Sequence, residues 1–158
     1  MNKRWIAHTA LRAVTVTVLA VSGCGTPGPR EIVLNQDACH YCRMTISDAR
    51  FGGEVVTRTG RVMTFDSVEC LTSFVRLADS STIAGVYTMD VQHPGTLIDV
   101  KNAGFLRDAI ALKSPMGRAV VAFASVSQAE QQRAMLGGTV ATWAELLASL
   151  HKVPGAEP

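Results

Sequence analysis

Apolar residues between positions 50 and 150 recur with two periods, and the switches between them mark the elements. Glu54 to Arg58 and Arg61 to Phe65 are short strand-like runs on either side of Thr59-Gly60, which predicts a β-hairpin. Asp66-Ser67 follow, and Asp66 with Glu69 three residues on fits a capping box that opens a helix. Val68, Leu71, Phe74 and Val75 then recur at helical spacing, so that face is expected in the core. Ile83 to Asp90 is a β-rich run, and Leu97-Ile98-Asp99-Val100 predicts another strand. Arg118 to Ser125 predicts a hydrophobic strand, after which Ser127 with Glu130 forms a second capping box. That helix is expected to end at Leu136, before the turn signal Gly137-Gly138. Thr142 with Glu145 opens a third helix carrying Trp143, Leu146, Leu147 and Leu150.

Part of this pattern occurs twice. Gly60-Arg61-Val62-Met63-Thr64-Phe65-Asp66-Ser67-Val68 is echoed by Gly117-Arg118-Ala119-Val120-Val121-Ala122-Phe123-Ala124-Ser125-Val126. Each copy is a strand ending in Phe, a Ser-containing turn and a helix. A strand-strand-helix unit of this size cannot bury its own sheet face, so two such units are expected to share one core. The predicted class is α+β, two related small ββαβ-type repeats packed around that core. The first repeat is placed at 31–92 and the second at 93–158, the latter including the C-terminal helix.

The first two dozen residues are an address rather than part of the fold. Lys3 and Arg4 precede the apolar run Ala13 to Val21, which is well short of the ~20 residues a membrane-spanning helix needs. Val21-Ser22-Gly23-Cys24 resembles the lipobox of bacterial lipoproteins, so residues 1–23 read as a signal and Cys24 as the lipidated residue. Val21 where leucine is usual, and Arg12 close to the run, leave an ordinary cleaved signal as the alternative. Residues 24–30, with Gly25-Thr26-Pro27-Gly28-Pro29, form a helix-hostile tether. Several acyl chains on one cysteine would hold it stably at a membrane.

Removing the signal changes the charge. Without Lys3, Arg4 and Arg12, 12 of the 15 basic residues remain against 13 acidic ones, and no dense basic stripe is left. That excludes nucleic acid as the expected partner. No Gly-rich phosphate loop, H-E-x-x-H or G-x-S-x-G is present, so nothing points to an enzyme.

The chemistry concentrates in Asp37-Ala38-Cys39-His40-Tyr41-Cys42-Arg43-Met44. Two thiols, an imidazole and a thioether lie within six residues, Cys39 to Met44. Thiolate and thioether are soft donors that select Cu(I), whereas structural zinc is built from Cys and His. Three other readings of Cys39-x-x-Cys42 stay open. The pair could close a disulfide in an oxidising compartment. It could be a thioredoxin-like redox pair, although Thr45-Ile46 and Gly52-Gly53 do not continue as a long helix. It could also be half of a zinc knuckle completed by Cys70 and His93. By pattern alone, Cys70 reads as a buried thiol in a helix, His93 as a surface turn residue, and Met63, Met89 and Met135 as core.

The wider order of residues is more specific. Cys39-x-x-Cys42-x-Met44-x-Ile46, Phe51-Gly52-Gly53-Glu54 and Phe65-Asp66-Ser67-x-x-Cys70-Leu71 are followed by Asp90, Ser114-Pro115-Met116-Gly117, Ala122-Phe123, Gly137-Gly138 and Trp143-x-Glu145. From residue 31 to 150 this resembles the NosL family, the accessory lipoproteins of nitrous-oxide reductase maturation. The resemblance implies a periplasmic chaperone that carries one Cu(I) for the tetranuclear copper–sulfide centre of the reductase. It implies the reductase apo-enzyme or its maturation factors as partners, and a fold of two ββαβ-type repeats. It also implies a Cys thiolate with Met and His donors, which maps onto Cys42, Met44, Met116 and His40, beside the second thiol, Cys39. Cys42 is the expected thiolate. The alternative is a thiol-disulfide or zinc-stabilised lipoprotein with no role in copper transfer.

Overall fold

The hairpin expected around Thr59-Gly60 is present in the computed structural model, which describes residues 27–117 and 120–149. The signal, Cys24, residues 25 and 26 of the tether, Arg118, and Leu150 of the third helix lie outside the described residues. Strands β1 (Gly53–Thr57) and β2 (Val62–Phe65) pair antiparallel, with Val55 opposite Met63. Gly60 takes φ +84° at the turn, a left-handed conformation that glycine adopts without steric cost. Helix α1 (Val68–Leu77) follows, then a 3-10 turn (Ser80–Thr82), β3 (Ile83–Met89) and β4 (Leu97–Asp99). These strands form one antiparallel sheet in the order β2-β1-β3-β4. The second half contributes β5 (Gly104–Arg107), β6 (Val121–Phe123), α2 (Val126–Leu136), β7 (Thr139–Ala141) and α3 (Trp143–Ser149). Its sheet has the order β6-β5-β7, also antiparallel. The class is therefore α+β. Each half runs strand-strand-helix-strand, with its first strand in the middle.

Alternation along the second sheet explains how the halves share a core. Phe105, Val120 and Ala122 point into a cluster with Val55, Phe65, Val68 and Leu71, joined there by Ala141 and Leu146. Leu106, Val121 and Phe123 point the other way and pack with Phe51, Ala109 and the α2 residue Ala129. Beyond β3 the chain continues into contact with β6, where the Val91 N–H donates to the Ala122 carbonyl at 2.9 Å. A glycine opens the first strand of each half and lets its helix come close. A Cβ on Gly53 would lie 2.9 Å from the Leu71 side chain, and one on Gly104 would lie 2.4 Å from the Val126 Cα.

Four expectations change. Strands β5 and β7 were not predicted. β4 pairs with β3, so the first sheet extends past the 92/93 boundary. The caps also move. Ser67, not Asp66, caps α1 by accepting from the Cys70 N–H at 3.2 Å, and Ser125, not Ser127, caps α2 through the Gln128 N–H. Glu130 pairs instead with Arg133. The third box holds, with the Glu145 carboxylate accepting from the Thr142 N–H at 2.7 Å. Met63 and Met89 are buried, but Met135 is 72% exposed because only Ala129 of α2 is buried.

Candidate metal centre

The Cys-x-x-Cys segment is a tight loop held at both ends. Ala38 and Thr45 form an antiparallel bridge, the Cys39 N–H donates to the Met44 carbonyl at 2.8 Å, and the Arg43 N–H donates to the Cys39 carbonyl at 3.0 Å. Arg43 takes φ +67° to make the reversal. Two further bonds dock the loop on β2: the His40 N–H donates to the Thr64 carbonyl at 2.7 Å, and the Thr64 hydroxyl donates to the Ala38 carbonyl at 3.0 Å. The chain leaving β2 therefore passes directly beside the loop. Ser67 starts α1 there, which puts Cys70 in the first turn and turns Asp66 inward.

The result is a cluster of four donors. The sulfurs of Cys39, Cys42 and Cys70 and a carboxylate oxygen of Asp66 all lie within 4.8 Å of one another. Cys39, Cys70 and Asp66 are buried, whereas Cys42 is partly exposed and opens the cluster to solvent. None of the three cysteines is in a disulfide. Neither oxygen of Asp66 has a hydrogen-bond partner among the described residues. A buried carboxylate without a partner is costly unless a cation or a proton answers it.

The thiols are not equivalent. The Cys70 thiol donates to Cys39, and the Cys42 and Asp66 N–H groups add to it, lowering Cys39 from 9.0 to about 7 despite burial. Burial pushes Cys42 up to about 11. Cys70 is raised because it is the donor in its bond to Cys39. In the metal-free protein the favoured thiolate is thus Cys39, while Cys42, expected from the sequence as the metal-bound thiolate, is protonated.

The other expected donors are placed differently. His40 lies outside the four-donor group; its ring meets Phe65 and Phe74 edge-on, with centroids 6.2 and 5.4 Å away. Burial, with Arg43 and Arg61 nearby, holds its pKa below the ordinary histidine value. Met44 is 48% exposed at the end of the loop. Met116 is half-buried and packs against the core cluster that contains Cys39 and Cys70. His93, the zinc-knuckle candidate, is on the surface and bonded through Nδ1 to Asp90 at 2.7 Å. Asp66, read from the pattern as a helix cap, is the cluster member that sequence reasoning missed, and Cys70 was weighed only as a core thiol or as a zinc-knuckle ligand with His93. Their one signal was Ser67-x-x-Cys70: with Ser67 as the cap, Cys70 falls at the third helical position and Asp66 just before the helix.

Three thiols and a carboxylate around one centre can hold a soft or borderline metal ion. Any two of the thiols could alternatively be oxidised. A family model described as NosL matches residues 31–150 of the chain. Among solved structures, the chain is similar to a crystal structure of the copper chaperone NosL from Shewanella denitrificans. The TM-score is 0.65 and the identity 23%, over 75% of this chain and 96% of that one. No curated protein matches the chain.

Proposed function

The chain belongs to the NosL family, and on that premise we propose that it is a carrier of Cu(I) rather than an enzyme. In this reading it is a periplasmic lipoprotein held at a membrane through Cys24, and its copper supplies the copper–sulfide centre of nitrous-oxide reductase. The observation that carries the copper-binding part is the cluster itself. Three sulfurs within 4.8 Å of one another suit a thiophilic monovalent ion, and one of them, Cys42, is partly exposed. Cys39, Cys42 and Cys70 are the proposed thiol donors, with the thioethers of Met44 and Met116 completing or exchanging at the open side. His40 would join only by leaving its place against the two phenylalanines. We also read the two halves of the fold as related ββαβ repeats, each contributing to the site.

The transfer logic follows from the opening. Cu(I) is content with two or three soft ligands, so an incoming ligand from the reductase or its maturation factors can bind before the last thiolate leaves. Cys42 and exposed Met44 lie where such a ligand would arrive. The buried pair Cys39 and Cys70 would keep hold until exchange is under way. Incubation of the Cu(I)-loaded protein with apo-reductase tests this directly. Copper should appear in the re-isolated reductase in step with its loss from the carrier; copper retained by the carrier would sink the transfer role.

Asp66 supports a second reading. Three thiols and a carboxylate make four donors, the number that zinc takes in structural sites. A zinc protein would hold Zn(II) in preference to Cu(I), would lose stability on chelation, and would give no metal to the reductase.

A further inference from the structure

Glu69 is an acid with an unexplained address. An acidic residue in the first turn of a helix is favoured by the helix dipole, but a surface position satisfies that. Glu69 is 2% exposed. Its Oε1 accepts a hydrogen bond of 2.6 Å from the Ser114 hydroxyl, also buried and 45 residues away in the other half of the chain. The neighbour of Glu69 in α1 is Cys70, a member of the thiol cluster.

Ser114 begins the turn Ser114-Pro115-Met116-Gly117. The Gly117 N–H donates back to the Ser114 carbonyl at 2.9 Å, and Gly117 takes φ +74°. Pro115 fixes its own φ. The turn is therefore a stiff unit, and fastening Ser114 fastens Met116 two residues on. The segment between β5 and β6 has no strand partner among its described residues. The bond to Glu69 is its side-chain anchor next to the methionine.

We propose that Ser114 and Glu69 are positioning residues for copper: their buried hydrogen bond holds the Pro-Met turn so that the Met116 thioether is presented to Cu(I) at the thiol cluster. This deepens the copper-carrier reading and rests on it. The bond joins the two halves of the fold at the place where each supplies a donor, thiols from the first and a thioether from the second.

The test is a Cu(I) competition titration against bicinchoninate on the reduced full chain, under anaerobic conditions. The variants are Ser114→Ala, Ser114→Val, Ser114→Thr, Glu69→Gln, Met116→Ala and Ser114→Ala/Met116→Ala. Thr keeps the hydroxyl and Val copies its shape without one, so that pair isolates the hydrogen bond even where Ala perturbs folding. Ser114→Ala and Ser114→Val should weaken binding about tenfold, as Met116→Ala does, while Ser114→Thr and Glu69→Gln retain most of the affinity. In the Met116→Ala background, Ser114→Ala should add less than about twofold, because its effect runs through the methionine. Copper-edge X-ray absorption should show one sulfur fewer in Ser114→Val than in Ser114→Thr. Wild-type binding with equal affinities for Val and Thr would overturn the proposal alone. So would a Ser114→Ala effect undiminished by Met116→Ala. No Cu(I) binding by the wild type would overturn the carrier reading, and this proposal with it.

Discussion

Replacing Cys70 with Ala should raise the pKa of Cys39. The Cys70 thiol is the strongest of the donors that lower Cys39 from 9.0 to about 7. That displacement favours the thiolate by about 3 kcal/mol, a factor of about a hundred in acid dissociation. With the donor gone, the Cys42 and Asp66 N–H groups remain, but burial and the Asp66 carboxylate oppose them. Cys39 should then return to its ordinary value of 9.0 or above. At pH 8 this takes the Cys39 thiolate from about nine-tenths of the molecules to about one-tenth or less. Thiolate ultraviolet absorbance, followed against pH in metal-free, reduced Cys24→Ser protein, reads the change without needing access to a buried sulfur. The parent should show one thiol titrating near neutrality and the others staying protonated well above pH 9, Cys42 until about 11. Cys70→Ser keeps a hydroxyl donor and should preserve most of the low transition. A near-neutral transition of unchanged position in Cys70→Ala would refute this account of the cluster's electrostatics.

Other consequences are open to direct measurement. Burial raises Glu69 from 4.5 to about 7, so its contribution to stability is fully present below pH 4.5 and is lost as pH rises through 7. Urea unfolding of the metal-free protein should show up to about 3 kcal/mol of this loss between pH 4.5 and 8, absent from Glu69→Gln; equal pH dependence in both would contradict it. In a Cys24→Ser chain at pH 8, iodoacetamide should react slowly with all three cysteines under native conditions, because Cys42 is reachable but protonated and Cys39 is a thiolate but buried; rapid modification of Cys42 in peptide mass mapping would contradict this. Gly104→Ala drives a methyl group to 2.4 Å from the Val126 Cα and should cost about 3 kcal/mol or more in thermal unfolding; a neutral effect would mean that α2 does not lie so close on β5.

The parts legible in the sequence are those with local causes. The β1–β2 hairpin follows from alternating apolar runs around Thr59-Gly60, and α2 ends where Gly137 takes φ +71°. The cap assignments missed by one or two positions because Asp66-Ser67 and Ser125-Val126-Ser127 each offer competing oxygens. Packing decides between them: the close fit of Gly104 under Ser125 and Val126 starts α2 at Ser125. Strand β5 was invisible because Gly104-Phe105-Leu106-Arg107 is buried on both faces and does not alternate in polarity. The site divides the same way. The loop donors Cys39 and Cys42 announce themselves by spacing. Cys70 and Asp66 join them only because two hydrogen bonds to Thr64 dock that loop on β2, and no local pattern records a contact 26 residues away.

The most direct test of the account is an anaerobic competition titration of the reduced protein with Cu(I), repeated for Cys39→Ser, Cys42→Ser and Cys70→Ser and in the presence of excess Zn(II). The account predicts one tight equivalent of Cu(I) that zinc does not displace, weakened by each of the three substitutions. Tight zinc in place of copper, or copper binding indifferent to all three, would contradict it.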